Sequence, residues 1–214
     1  MSARDAVLGA VRAALGGRAV DPEQVAAQAR ALLDGPDAIR PALMDPDPVE
    51  AFVARATSPK LIGTSLERIA DMAAFPDAVR RYLAGHGLPP QVALQPAPAL
   101  EGLDWGGFTL RAAMAADEPV GVGLARWGIA ETGSLVFHSG PDTPILFNFL
   151  PLHHVVLVRA GTILPYLEDY AAAATAEARP RNVNIVTGAS GTTDIEGVLV
   201  RGAHGPRYLH IVLA

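Results

Sequence analysis

The residue types best suited to hold an anion or move a proton gather in three turn-like runs in the second half of the chain. The first, Gly128 to Ser134, carries Glu131, Thr132 and Ser134; the second, Thr187 to Glu196, carries Thr187, Gly188, Ser190, Thr192, Thr193 and Asp194; the third, Gly202 to Pro206, carries His204. A loop of glycines and hydroxylated residues leaving a parallel strand can aim several backbone N–H groups at one anion, because glycine adopts positive φ and permits close approach. Thr187, Gly188, Ser190, Thr192 and Thr193 fit that description as a ligand-binding loop, with Thr132 and Ser134 as further hydroxyls. Glu131 and Asp194 supply carboxylates able to act as acid, base or ligand, and His204 supplies an imidazole, the side-chain type that titrates closest to neutral pH. Glu131, Asp194 and His204 are therefore the candidate catalytic groups. The same runs are equally compatible with plain turns whose hydroxyls and carboxylates cap the segments that follow.

Other reactive residues point to structure rather than chemistry. His153 and His154 are adjacent in an apolar run, and neighbouring side chains of a strand point to opposite faces, so they do not form a metal pair and are best read as packing or surface. No metal site is expected. His86, between Gly85 and Gly87, reads as a helix C-terminal feature. Lys60 is the one lysine, in a loop after Ser58-Pro59, which excludes a phosphate loop ending in G-K-[ST].

The elements that must position these runs are legible from period and punctuation. Short β-type runs occur at Gln91 to Leu94, Phe108 to Leu110, Val120 to Ala125, Ser134 to His138, Val155 to Val158, Val183 to Val186, Val198 to Val200 and Tyr208 to Leu213. Helical patterns occupy Asp77 to Ala84 and Pro165 to Ala178, the latter stopped by Arg179-Pro180. Strands separated by helices imply an α/β fold with a mainly parallel sheet covered on both faces. Before residue 45 the chain is alanine-rich with helical spacing in Ala6 to Leu15 and in Pro22 to Leu33, where Asp21 is an N-cap and Pro follows it. A Pro- and Asp-rich connector closes this stretch. The expected domains are an N-terminal helical annex, 1–45, and an α/β domain, 46–214, with the annex removable without unfolding the sheet.

Composition narrows the function classes. The net charge is −5 and no basic run occurs, which argues against nucleic acid as a partner. With no cysteine, the chain cannot form a disulfide, a thiolate zinc site or an ordinary iron–sulfur cluster. No G-x-G-x-x-G follows a strand, so neither flavin nor nicotinamide is expected, and the isolated chain should lack a visible chromophore. The N-terminus interrupts its apolar residues with Arg4, Asp5 and Arg12, and Ile145 to Val158 is too short and too polar to span a bilayer. A cytoplasmic location, no membrane partner and a possible homodimer are the corresponding expectations.

The motifs GIAETGS, LPLHHVVLV and TGASGTTDIEGVLVRGAHGPRYLHIVL, in that order over residues 120 to 214, resemble the LUD domain of the lactate utilization protein C family (LutC/YkgG). The resemblance implies a fold like that of ribose-5-phosphate isomerase, glucosamine-6-phosphate deaminase and the CoA transferases. It also implies a role beside a Cys-rich subunit and an iron–sulfur subunit in oxidising L-lactate to pyruvate, with the clusters carried by the partners and a small carboxylate or other anion as ligand. Family members commonly place Arg or Lys after the serine of the T-G-x-S loop, where this chain has Gly191. Anion binding here would lean on backbone N–H groups, on the hydroxyls of Ser190, Thr192 and Thr193, or on an arginine such as Arg201 or Arg207. Two other functions fit the residues: a stand-alone isomerase or ligase acting on a phosphorylated or CoA-linked small molecule, and a structural assembly factor in which the polar runs are only turns and caps.

Overall fold

Valine- and isoleucine-rich runs pair side by side here because both faces of the resulting sheet are covered, which suits parallel strands with near-continuous apolar character. The computed structural model describes residues 2–16, 21–34, 40–176, 179–193 and 196–214. The chain divides into two units, Met1–Pro41 and Ala42–Ala214. In the first, α1 (Ala3–Ala14) starts with a capping box between Ser2 and Asp5. Helix α2 (Pro22–Asp34) follows Asp21, whose carboxylate accepts from the Glu23 N–H at 2.9 Å.

The second unit begins with α3 (Pro48–Ala56), capped by Asp47 through the Val49 N–H at 2.7 Å. There follow β1 (Thr64–Arg68), α4 (Phe75–Gly85), β2 (Gln91–Leu94), the short α5 (Pro98–Glu101), β3 (Thr109–Arg111), β4 (Val120–Leu124), β5 (Trp127–Ile129) and β6 (Ser134–His138). The chain continues through β7 (His153–Val158), β8 (Ile163–Leu164), α6 (Leu167–Thr175), β9 (Val183–Val186), β10 (Gly191–Thr193), β11 (Leu199–Arg201) and β12 (Tyr208–Leu213). Six strands form a wholly parallel sheet in the order β1-β12-β7-β4-β2-β3. One face buries Val92, Val122, Val155 and Leu157 against Phe75, Val79 and Leu83 of α4. The other buries Val156, Val158, Leu209 and Ile211 against Phe52 of α3 and Leu135 and Phe137 of β6.

Not every β-type run joins that sheet. Strands β8-β5-β6-β9 form a second sheet in which β6 runs antiparallel to both neighbours. The reason is the connection: Ala130 to Gly133 joins β5 to β6, and a parallel crossover needs a dozen or more residues. Gly133 makes this turn, with φ +69° and a position where a Cβ would stand 2.7 Å from the Ala56 backbone nitrogen. Only glycine fits. Helix α6 ends sooner than the alanine pattern suggests; residues 177 and 178 of that pattern lie outside the described residues.

Candidate functional site

Antiparallel pairing of β6 with β9 sets Leu135 opposite Val186 and brings the first two polar runs together. Ser134, almost fully buried, bonds through its hydroxyl to Thr132 at 2.6 Å and to Thr187 at 2.5 Å. Beyond Thr187 the chain turns at Gly188, φ +72°. It is then stitched to two distant segments. The Ala189 N–H donates to Thr64 Oγ1 at 3.0 Å, the Ser190 N–H donates to the Pro206 carbonyl at 2.8 Å, and the Gly202 N–H donates to the Ser190 carbonyl at 2.9 Å. These bonds correct the expectation that the loop's backbone N–H groups are free to hold an anion: those of Ala189 and Ser190 are spent inside the protein.

The same stitching opens a cleft of about 340 Å³ lined by Thr187, Gly188, Ser190, Thr192 and His204. Two residues left out of the expected site complete it, Asn148 and His154. His154 is 1% exposed and Asn148 3%. Neither His154 ring nitrogen has a hydrogen-bond partner, and neither does Asn148 Nδ2. Burial pushes the His154 imidazole down to about 3, so it is neutral at physiological pH, with one nitrogen a donor and the other an acceptor. Its ring stacks on Phe137 at 5.8 Å and fits because β4 has Gly123 beside it, where a Cβ would stand 3.1 Å from Nε2. A buried polar group without a partner costs about 1–3 kcal/mol. Both side chains line the cleft, and a polar guest that reached them would offset that cost.

His153 points to the opposite face, as strand alternation requires, with Nδ1 2.8 Å from the Tyr82 hydroxyl and its ring stacked on Tyr208 at 4.5 Å. The signal for Asn148 and His154 was present in the sequence as polar interruptions of the apolar run Ile145 to Val158. Which interruption faces a cleft is set only by the register.

The remaining candidates disperse. Glu131 accepts the Leu167 N–H at 2.8 Å and so caps the N-terminus of α6. Thr193 is exposed and pairs with Leu199 in the β10–β11 hairpin. Asp194 lies outside the described residues. His154 and Leu209 belong to the beginnings of β7 and β12, so the cleft opens at the amino ends of the central strands. The loop does leave the carboxyl end of its own strand, but that strand is β9 of the second sheet. At the carboxyl edge a crevice of about 240 Å³ contains Gln95, Arg126, His138 and Arg159. Its buried amide, Gln95, is already satisfied by Asp142, Thr143 and the Leu124 N–H. Among the described residues no group of three or more His, Asp or Glu side chains is placed to hold a metal ion, and no helix is long and apolar enough to cross a membrane.

Comparison with known proteins adds a family and a fold. The LUD domain model matches residues 85–214. The chain is 36% identical over 92 residues to the uncharacterized protein YkgG of Escherichia coli K12, covering 41% of this chain and 40% of that protein. It is 32% identical over 100 residues to lactate utilization protein C of Halalkalibacterium halodurans, covering 44% of each. The matched stretch thus spans about two fifths of the length of these relatives. A DUF162 family protein of Deinococcus radiodurans superposes with a TM-score of 0.56 at 21% identity, over 78% of this chain and 95% of that one, a likeness of fold.

Proposed function

From the premise that this chain belongs to the LUD domain family, we propose that it serves lactate utilization as a subunit that holds a small 2-hydroxy or 2-oxo carboxylate and works beside iron–sulfur partners. The name carried by its relatives, lactate utilization protein C, supports the process. The cleft supports the ligand. Asn148 Nδ2 donates to a carboxylate oxygen, the hydroxyls of Thr187, Ser190 and Thr192 supply further bonds, and the neutral His154 imidazole pairs with the 2-oxygen. The observation that carries this reading is the pair of buried, unpartnered side chains, His154 and Asn148, on the same cleft as the hydroxylated loop.

Oxidation of lactate to pyruvate releases two electrons and two protons. A cysteine-free chain ligates no iron–sulfur cluster, so in this scheme the electrons pass to partner subunits. The test is calorimetric titration of the full chain with L-lactate and with pyruvate. Saturable binding weakened roughly tenfold or more in Asn148→Leu and His154→Leu is expected, since each removes a buried hydrogen bond to the ligand; absence of saturable binding to the wild-type chain overturns the ligand assignment. Lactate-dependent electron transfer by the reconstituted system, with and without this chain, tests its place in the process.

A further inference from the structure

Two arginines outside the cleft are drawn together by glycines. Arg201 ends β11 and Arg207 precedes β12. The turn between them requires Gly202, which has φ +79° and where a Cβ would stand 2.8 Å from Arg207 Cβ. Gly63, at the start of β1, has φ +87° and leaves room for the Arg201 guanidinium: a Cβ there would stand 2.5 Å from Nη2 and 2.8 Å from the Arg207 carbonyl oxygen. Arg201 Nη2 donates to that carbonyl at 3.1 Å. The two guanidinium carbons lie 5.0 and 5.7 Å from the centroid of the Tyr208 ring, so two positive charges surround one phenol, within about a Debye length of each other.

Nothing in the described structure neutralises them. Among the described residues neither guanidinium has a carboxylate within ion-pair distance, whereas Arg68, Arg81 and Arg111 each have one. Arg201 Nε is moreover buried without a hydrogen-bond partner. Two like charges beside one ring repel each other, more so where Arg201 is partly shielded from water, and an anion between them turns that repulsion into attraction. We propose that Arg201 and Arg207 form an oxyanion clamp for the phosphoryl group of a small phosphorylated ligand. A phosphate monoester carries close to two negative charges and matches both guanidiniums, whereas a single carboxylate is satisfied by one bidentate arginine. The clamp is a site separate from the cleft, and its chemistry does not depend on what the cleft holds.

The probe is inorganic phosphate, titrated into the full chain at low ionic strength while the arginine Nε–H resonances are followed by NMR. The Arg201 and Arg207 signals are expected to shift saturably with phosphate and to remain in place with acetate at matched ionic strength. Arg207→Gln, an exposed position, is expected to weaken phosphate binding roughly tenfold or more, as loss of a charge-assisted bond does. Gly63→Ala, which displaces Arg201, should weaken it as well, while His154→Leu should leave it unchanged. Three results overturn the clamp: no saturable shift in the wild-type chain, equal responses to acetate and phosphate, or an Arg207→Gln chain that binds phosphate as the wild type does.

Discussion

Replacing His154 by leucine separates a ligand-binding role from a structural one, because the two roles predict stability changes of opposite sign. A structural histidine is hydrogen-bonded, and its removal destabilises. His154 is buried with both nitrogens unpartnered, so the folded chain without ligand carries a desolvation cost of about 1–3 kcal/mol that leucine abolishes. Against this stands the lost stacking on Phe137, at 5.8 Å and 27°, of about 0.5–1 kcal/mol. Taking the middle of each range, the expected net effect is a gain of about 1 kcal/mol, which raises the melting temperature by roughly 2–4 °C in a domain of this size. Urea and thermal unfolding at neutral pH, followed by circular dichroism, measure this, and calorimetry on the same sample measures ligand affinity. The signature of a binding residue is higher stability with lost affinity. A variant that is less stable yet binds L-lactate as before would refute the reasoning.

Acid should unfold the protein through its buried imidazoles. Burial holds His153 and His210 at about 4 and His154 at about 3 in the folded state, below the ordinary 6.5. Between pH 6.5 and about 4 the unfolded chain therefore binds more protons than the folded one, so stability is full above pH 6.5 and falls by up to about 1.4 kcal/mol per pH unit for each group. Urea midpoints across that range should drop steeply, and by one proton less in His154→Leu; a flat profile contradicts the burial argument. Glu131→Ala should cost about 1 kcal/mol through the lost cap on α6 while leaving ligand affinity unchanged; a loss of binding at unchanged stability would return that carboxylate to the site. Gly133→Ala should cost about 3 kcal/mol or more, since it combines a positive φ with a Cβ 2.7 Å from the Ala56 nitrogen, and an unshifted urea midpoint would show that the turn relaxes.

The local grammar of the chain was legible without coordinates. Gln91 to Leu94, Ser134 to His138, Val183 to Val186 and Tyr208 to Leu213 are strands at the bounds their residue types suggest, and Asp21 caps α2 as its Asp-Pro signature indicates. The family was legible too, from motifs whose residues are close in sequence. These features share a cause: turns, caps and strand propensity are decided by neighbours two to four residues apart, which meet in any fold.

What only the tertiary structure decided is which polar groups remain unsatisfied. Glu131 reads as a catalytic carboxylate until Leu167 arrives to bind it, and the Ala189 N–H reads as an anion donor until Thr64, 125 residues away in the chain, takes it. His154 reads as packing until register places it on a cleft with no partner for either nitrogen. The parallel sheet was anticipated, but the short Ala130 to Gly133 connection turns β6 back antiparallel to β5 in a second sheet, which β9 joins, and the loop after β9 lines a cleft at the amino ends of the central strands. Availability for a ligand is what internal hydrogen bonding leaves over, and internal partners come from segments far apart in sequence, so it is settled only when the sheets pack.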